Sequence, residues 1–340
     1  MMRFRRGVYA NSKVSRESAL GRVWEFTMMD GWRGYGEVVF PLSWPLDQYQ
    51  KAVQEEKRFL FSLVGKKSDH LMAAASQHRR RGRIGSIHAF ALETVWYDLS
   101  GKKEGVPICQ LLGGKKTLRV EDYLSISEPT LQDFQNVLEQ EDLGRKVVQL
   151  KLGMNSRNDD VDQVALALEK LPNMKTMLAD ANGKWSVAEA CEVISKFDDS
   201  RLIWEEPCAL YEATMEVARL SGKRVMVDQC VGDVSLAKRA ADDGLVSALT
   251  IKPAYLGGLK IARKVRDYCA ASGVGIRIDG PWCGDIATSA ILHLALGTPP
   301  ECLIAGCDLR QPLDCDVNLG GVIRFDNGQI SPPGGPGLGL

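Results

Sequence analysis

A chain of 340 residues exceeds one small domain and suits a barrel with a smaller companion. Its 45% hydrophobic and 25% charged content is that of an ordinary globular protein, and 43 basic residues balance 43 acidic ones. That balance gives no electrostatic case for nucleic acid or an anionic membrane, and no apolar run reaches the length of a membrane span.

The N-terminus, Met1-Met2-Arg3-Phe4-Arg5-Arg6, is basic, but no secretory apolar segment follows. Residues 23–29 alternate as a strand, Asp30-Gly31 offers a turn, and Gly34-Tyr35-Gly36-Glu37-Val38-Val39 reads as the return strand. Helical spacing predicts a helix over 47–63 and another over 86–102, with Ile87, Ala91, Val95 and Leu99 in one stripe. The run His78-Arg79-Arg80-Arg81-Gly82-Arg83 lacks interleaved aromatics and reads as a solvated face. Strands then helices, ahead of any βα repeat, predict an α+β domain over 1–116. Alternation of strands and helices follows over 117–310, with the first strand expected over 119–126 and the eighth over 301–305. Ser186-Val187-Ala188-Glu189 is a capping box, and Gly144, Gly222, Gly244, Gly273 and Gly297 sit where helices should stop. The Pro- and Gly-rich tail, 311–340, is expected to pack back over the first domain. Nine scattered cysteines without a Cys-x-x-Cys pair read as reduced thiols and a cytoplasmic setting.

The chemistry lies in the repeat. Val147-Val148-Gln149-Leu150-Lys151 is an apolar run ending in a lysine, and later runs end in Asp180, Glu205, Asp228, Lys252 and Asp279. The steps between these charges, about 29, 25, 23, 24 and 27 residues, are each one strand plus one helix of a (β/α)8 TIM barrel, so the fold class is α/β. Charges are costly on buried strands unless they meet a partner or a metal, so six at equivalent positions read as a site on the barrel's C-terminal face. The second and sixth strands of a closed eight-stranded barrel lie opposite each other, so Lys151 and Lys252 are expected to face across the mouth. Asp180, Glu205 and Asp228 fill the arc between them, and three clustered carboxylates with oxygen-only donors suit Mg²⁺. Separate strand-end ion pairs are the competing reading. A substrate carboxylate on the metal would place its α-carbon between the lysines. One lysine, its pKa lowered by the nearby cation, would take the α-proton, and the metal would stabilise the enediolate. Return of a proton from the other lysine gives racemisation or epimerisation; loss of a β-substituent gives dehydration.

Jointly, Gln149-Leu150-Lys151, Asp180-Ala181-Asn182, Glu205-Glu206-Pro207, Asp228-Gln229, Ile251-Lys252-Pro253 and Leu256-Gly257-Gly258-Leu259 resemble the muconate-lactonising branch of the enolase superfamily, over nearly the whole chain. The resemblance implies a TIM barrel under an N-terminal α+β capping domain completed by the C-terminal tail. It makes Asp180, Glu205 and Asp228 Mg²⁺ ligands and Lys151 and Lys252 the acid/base pair. The stretch Asp279-Gly280-Pro281-Trp282-Cys283-Gly284-Asp285-Ile286 is similar to enzymes of proline-like substrates, hydroxyproline betaine epimerases and cis-3-hydroxyproline dehydratases. A small-molecule carboxylate partner and a homo-oligomer are expected, and Asn182, Asp279, Trp282, Asp308 and Trp44 are the candidate substrate contacts. Asp308 stands where betaine epimerases carry an aromatic, and a carboxylate there suits an ammonium bearing N–H. The chain departs from the family in carrying Gln149 where a lysine is frequent, Gln229 where Glu is usual, and a short N-terminal segment where a specificity loop belongs. His70, His78, His88 and His293 fall outside the strand ends, which disfavours a histidine base. The alternatives are a Schiff-base aldolase using Lys252, and an inactive binding scaffold of the same fold.

Overall fold

The computed structural model describes all residues except 6, 7, 12, 115–118, 129, 141–145, 311, 312 and 315–322. Gly144, Gln311-Pro312 and the junction at 116/117 therefore lie outside the described residues. The eight parallel barrel strands are, in order, Tyr123–Ile126, Val147–Lys151, Thr176–Asp180, Leu202–Glu205, Val225–Val227, Val246–Ile251, Gly275–Ile278 and Leu303–Ala305. Each pairs with its sequence neighbour, and a bridge between Asp122 and Gly306 joins the last strand to the first. The strands are short and nearly all buried, as parallel strands covered by helices must be. The first barrel strand is shorter than the expected 119–126, because Val120–Glu121 pairs antiparallel with Gln329–Ser331 of the tail. The capping box at Ser186 and Glu189 forms, and Gly222 ends its helix at φ 62°.

Ahead of the barrel stands the hairpin Gly21–Thr27 with Arg33–Val39, packed on the helix Gly82–Glu104. Two strand glycines permit that approach: a Cβ on Gly36 would lie 2.2 Å from the Ala91 carbonyl oxygen, and one on Gly34 2.5 Å from Leu99. Ile87, Ala91, Val95 and Leu99 are all buried, as their stripe predicted. The helix begins earlier than predicted, at Gly82, and follows on from the basic run.

The basic run is divided: Arg80, Arg81 and Arg83 are exposed, as a solvated face requires, while His78 is buried and Arg79 is drawn into the seam between cap and barrel. Arg79 donates to the Gly257 carbonyl at 2.6 Å and pairs with Glu93 at 2.5 Å, while Arg83 donates to the Tyr255 carbonyl at 3.1 Å. Glu93 accepts the Lys260 N–H at 2.8 Å, so a carboxylate from the cap serves the start of the barrel helix Leu259–Ala271. Glu37 does the same for the helix Asp285–Leu296, accepting from Gly284 N–H at 2.6 Å and Ala287 N–H at 3.0 Å. The tail closes a third contact: Asp98 accepts the Leu338 N–H at 2.9 Å, and Ser289 donates to the Leu338 carbonyl at 2.9 Å. No helix among the described residues is long and apolar enough to cross a membrane.

Burial lifts the Glu37 carboxyl to about 7, against the two N–H bonds it accepts. The folded state therefore keeps this proton over a range in which the unfolded chain has lost it. The contribution to stability is greatest below the ordinary carboxyl range and declines as pH rises from about 4.5 to 7. Glu37→Ala is expected to cost about 2 kcal/mol more near pH 5 than near pH 8, measured by urea unfolding at both. An equal cost at the two pH values would refute the assignment.

Candidate active site

The strand ends assemble the predicted charges on one rim. Register places Lys151 beside Asp180 and Asp180 beside Glu205, while Asp228, Lys252 and Asp279 directly follow the fifth, sixth and seventh strands. The strands of Lys151 and Lys252 are four places apart in a ring of eight, hence opposite. Both lysines line a cavity of about 360 Å³, together with Gln149, Asn182, Asp228 and Asp279. Trp44 enters it from the cap, and Trp282 from the loop after the seventh strand. The N-terminal segment, despite its shortness, also reaches the cavity through Tyr9, Asn11 and Lys13, with Tyr9 edge-on to Trp282 at 5.5 Å.

Each of the three central carboxylates meets a cation. Lys151 Nζ lies 2.5 Å from Asp180 Oδ2, and Lys252 Nζ lies 2.6 Å from Asp228 Oδ2. Arg277 grips Glu205 with two nitrogens, Nη1 at 2.7 Å from Oε2 and Nη2 on Oε1. Both partners of that last pair are fully buried. Gln149 Nε2 donates to Asp180 at 3.1 Å and to Glu205 at 2.8 Å, while its oxygen accepts from Ser125 at 3.0 Å. Asp279 is similarly engaged. Tyr123 donates to it at 3.1 Å, the Arg277 guanidinium stands 3.4 Å away and Lys252 4.0 Å away.

These contacts set the ionisation. Burial disfavours a charged Lys151, but Asp180, Tyr9 and Glu205 outweigh it and hold the ammonium well above its usual range. Burial likewise opposes charge on Lys252, and Asp228 with Asp279 overrides it. With carboxylates as their nearest neighbours, both lysines are held here as ammonium groups. Burial pushes the Glu205 carboxyl up to about 7, with Arg277 opposing and Asp180 and Asp228 adding. Next to it Glu206 is raised to about 8, by burial first and then by Asp228. Glu206 accepts the backbone N–H groups of Asp228 and Cys230, each at 2.6 Å, and so fixes the turn that presents Asp228.

The donor chemistry suits a hard divalent ion: three carboxylates on consecutive strands, with Asp228 Oδ1 buried and lacking any hydrogen-bond partner. On that test the residues fit Mg²⁺. Among the described residues no three acidic, histidine or cysteine side chains converge on one point as they stand, since the two lysines and Arg277 engage the same oxygens.

Asp308 is placed apart from the other candidates. It is buried but does not line the cavity; it accepts the Arg310 N–H at 3.1 Å and lies 3.8 Å from the Arg310 guanidinium. The main residue that strand-end reasoning missed is Arg277. Its signal was its position two residues before Asp279, on the same face of the strand and one layer deeper.

A model of the enolase C-terminal domain-like family matches residues 133–340. Cis-3-hydroxy-L-proline dehydratase of Roseibium aggregatum is 31% identical over 251 residues, covering 73% of this chain and 68% of that one. L-amino acid-D/L-Glu epimerase of Francisella philomiragia is 27% identical over 281 residues, covering 78% and 77%. Among solved structures, muconate lactonizing enzyme from Pseudomonas fluorescens complexed with muconolactone superposes with a TM-score of 0.87 at 20% identity, over 100% of this chain and 93% of that one. An enolase-superfamily member from Roseovarius nubinhibens complexed with magnesium gives 0.86 at 24%, over 100% and 92%. At these identities the two structures speak for the fold.

Removing Arg277 would leave Glu205 buried and unpaired. Arg277→Met is expected to lower unfolding stability by about 3–5 kcal/mol. Adding Gln149→Lys, which puts a cation within reach of the same carboxylate, is expected to recover part of that loss in urea titrations. Full stability of Arg277→Met alone would show that the pair contributes nothing.

Proposed function

The chain belongs to the enolase C-terminal domain-like family, and from that premise we propose that it removes the proton α to the carboxylate of a proline-like amino acid. Its relatives are dehydratases, epimerases, cycloisomerases and synthases, so it is an enolase-superfamily enzyme of the racemase, epimerase or dehydratase kind. The single observation that carries the finer reading is the opposed pair Lys151 and Lys252 on one cavity. Support for a proline or hydroxyproline ring comes from the 31% identity with a cis-3-hydroxy-L-proline dehydratase, and from Tyr9, Trp44 and Trp282 around the cavity.

Asp180, Glu205 and Asp228 would hold Mg²⁺, which when bound supplies positive charge to the substrate's carboxylate oxygens. The chain's own residues handle the protons. One lysine, released from Asp180 or Asp228 and having passed its proton to solvent water, takes the α-proton as a neutral amine. The opposite lysine, still an ammonium, donates from the other side. Donation to the α-carbon inverts the centre. Donation to a β-hydroxyl expels water, and the electron pair left at the α-carbon forms the new double bond. Trp44 of the cap and the N-terminal hairpin line the cavity's mouth, which would limit water at the reacting carbon. The division into a cap over 1–116, a barrel over 117–310 and a tail over 311–340 belongs to the same proposal. So do a homo-oligomeric assembly and a cytoplasmic location, the latter supported by eight free cysteines among the described residues.

In D₂O with Mg²⁺, the protein is expected to wash out the α-proton of cis-3-hydroxy-L-proline or L-proline within a panel of amino acids. Lys151→Ala and Lys252→Ala should each slow exchange at least ~10²-fold, and chelation should abolish it until Mg²⁺ is restored. Borohydride with substrate should trap no adduct on Lys252. A panel with neither exchange nor elimination would defeat the proposal and favour a binding scaffold.

A further inference from the structure

The basic run ahead of the long cap helix sends its last member toward the cavity. Arg79 is taken by Glu93 and the Gly257 carbonyl, whereas Arg83 lines the cavity itself. Arg83 stands in the first turn of the helix Gly82–Glu104, which holds no acid in that turn and no side-chain cap. A cation is disfavoured there, because the free N–H groups already make that end of the helix positive. The side chain is nevertheless held in place. It lies over the Tyr255 ring at 4.5 Å, and Nη1 donates to the Tyr255 carbonyl at 3.1 Å. Among the described residues that carbonyl is its one acceptor and no carboxylate pairs with it. Lys13 repeats the pattern. It lines the cavity from the turn of the hairpin Tyr9–Ala10 with Ser15–Arg16, and its Nζ meets the neutral Gln229 Oε1 at 3.2 Å. Gln229 follows the fifth barrel strand and Tyr255 the sixth, and those strands are neighbours. The two cations therefore overhang one edge of the mouth. The acids lining the cavity are Asp228 and Asp279, and Lys252 and Arg277 answer them from inside. Positive charge is left over at the outer edge. The cavity, about 360 Å³, is also of a size that takes ligands much larger than proline.

We propose that Arg83 receives a second carboxylate of the substrate, and that Lys13 adds positive charge at the same edge. The substrate then carries two acids: the α-carboxylate of a proline-like ring, and another at the end of an arm that reaches the cap. Val14, Val231 and Leu256 give that arm an apolar wall. The inference rests on the proposed function for the reacting end and adds the far end. A guanidinium suits the task, since its planar fork offers paired N–H groups to both carboxylate oxygens. Arg83 is in this reading a specificity-determining residue and takes no part in proton transfer.

The test uses N-succinyl-L-proline and its isosteric amide, N-succinamoyl-L-proline, which differ in the distal charge alone. A shorter pair, trans-pyrrolidine-2,4-dicarboxylate and its 4-amide, covers a closer reach. Affinities are measured by calorimetry with Mg²⁺ present. In at least one pair the dicarboxylate is expected to bind about tenfold tighter than the amide, or more. Arg83→Met should bring the two members of that pair within about threefold of each other, and binding of the amide by the variant reports an intact site. Lys13→Met should narrow the ratio less, and added salt should narrow it in the wild type. In α-proton exchange, the dicarboxylate should show the lower KM at similar kcat, and Arg83→Met should remove that difference. No preference for either dicarboxylate in the wild type, or a full preference kept by Arg83→Met, overturns the inference. Exchange on L-proline or cis-3-hydroxy-L-proline would still leave the proposed function standing. A wild-type protein that binds none of these probes and exchanges no α-proton counts against both.

Discussion

The site depends on the two-armed contact between Arg277 and Glu205 inside the barrel. Both groups are removed from water, where an unpaired charge is prohibitive, so each makes the other tolerable. Around them the signs alternate: Asp180, Glu205, Asp228 and Asp279 interleave with Lys151, Lys252 and Arg277. Every charge is held by a neighbour of opposite sign, and moving one releases another.

Arg277 also gives meaning to a departure in the sequence. The resembling family frequently carries a lysine where this chain has Gln149. Here Gln149 and Arg277 share one oxygen of Glu205, the amide at 2.8 Å and the guanidinium at 2.7 Å. A positive charge still reaches that carboxylate, delivered from the seventh strand and not from the second. Arginine suits the task, since its planar fork meets both carboxylate oxygens and stays charged where a buried lysine readily does not. The same guanidinium stands over the Tyr123 ring at 5.1 Å and so ties the first strand to the seventh.

The barrel, the rim charges and the opposition of the lysines were legible because one period, strand plus helix, recurs and each strand ends in a charge. Length and spacing suffice for such features. Arg277 was visible but passed over, since attention to strand ends overlooks the residue one layer down. Lys13, Tyr9 and Arg79 were beyond reach for another reason. They meet Gln229, Trp282 and Gly257 across 178 to 273 positions of chain, and nothing local in the sequence encodes such a meeting. Asp308 shows the converse limit. Its place in the sequence suggested a substrate contact, while its carboxylate accepts the Arg310 N–H and lies off the cavity.

Glu37 and Glu93 bear on how such an enzyme can diversify. Two helices of the barrel take their first-turn acceptors from side chains that belong to the cap. A transplanted cap from another member would bring new walls to the cavity but leave those helix starts bare unless it also supplied acids at matching places. Recombination of specificity between lineages is thereby constrained at two points remote from the substrate, and grafts of single loops are the easier route to a new preference.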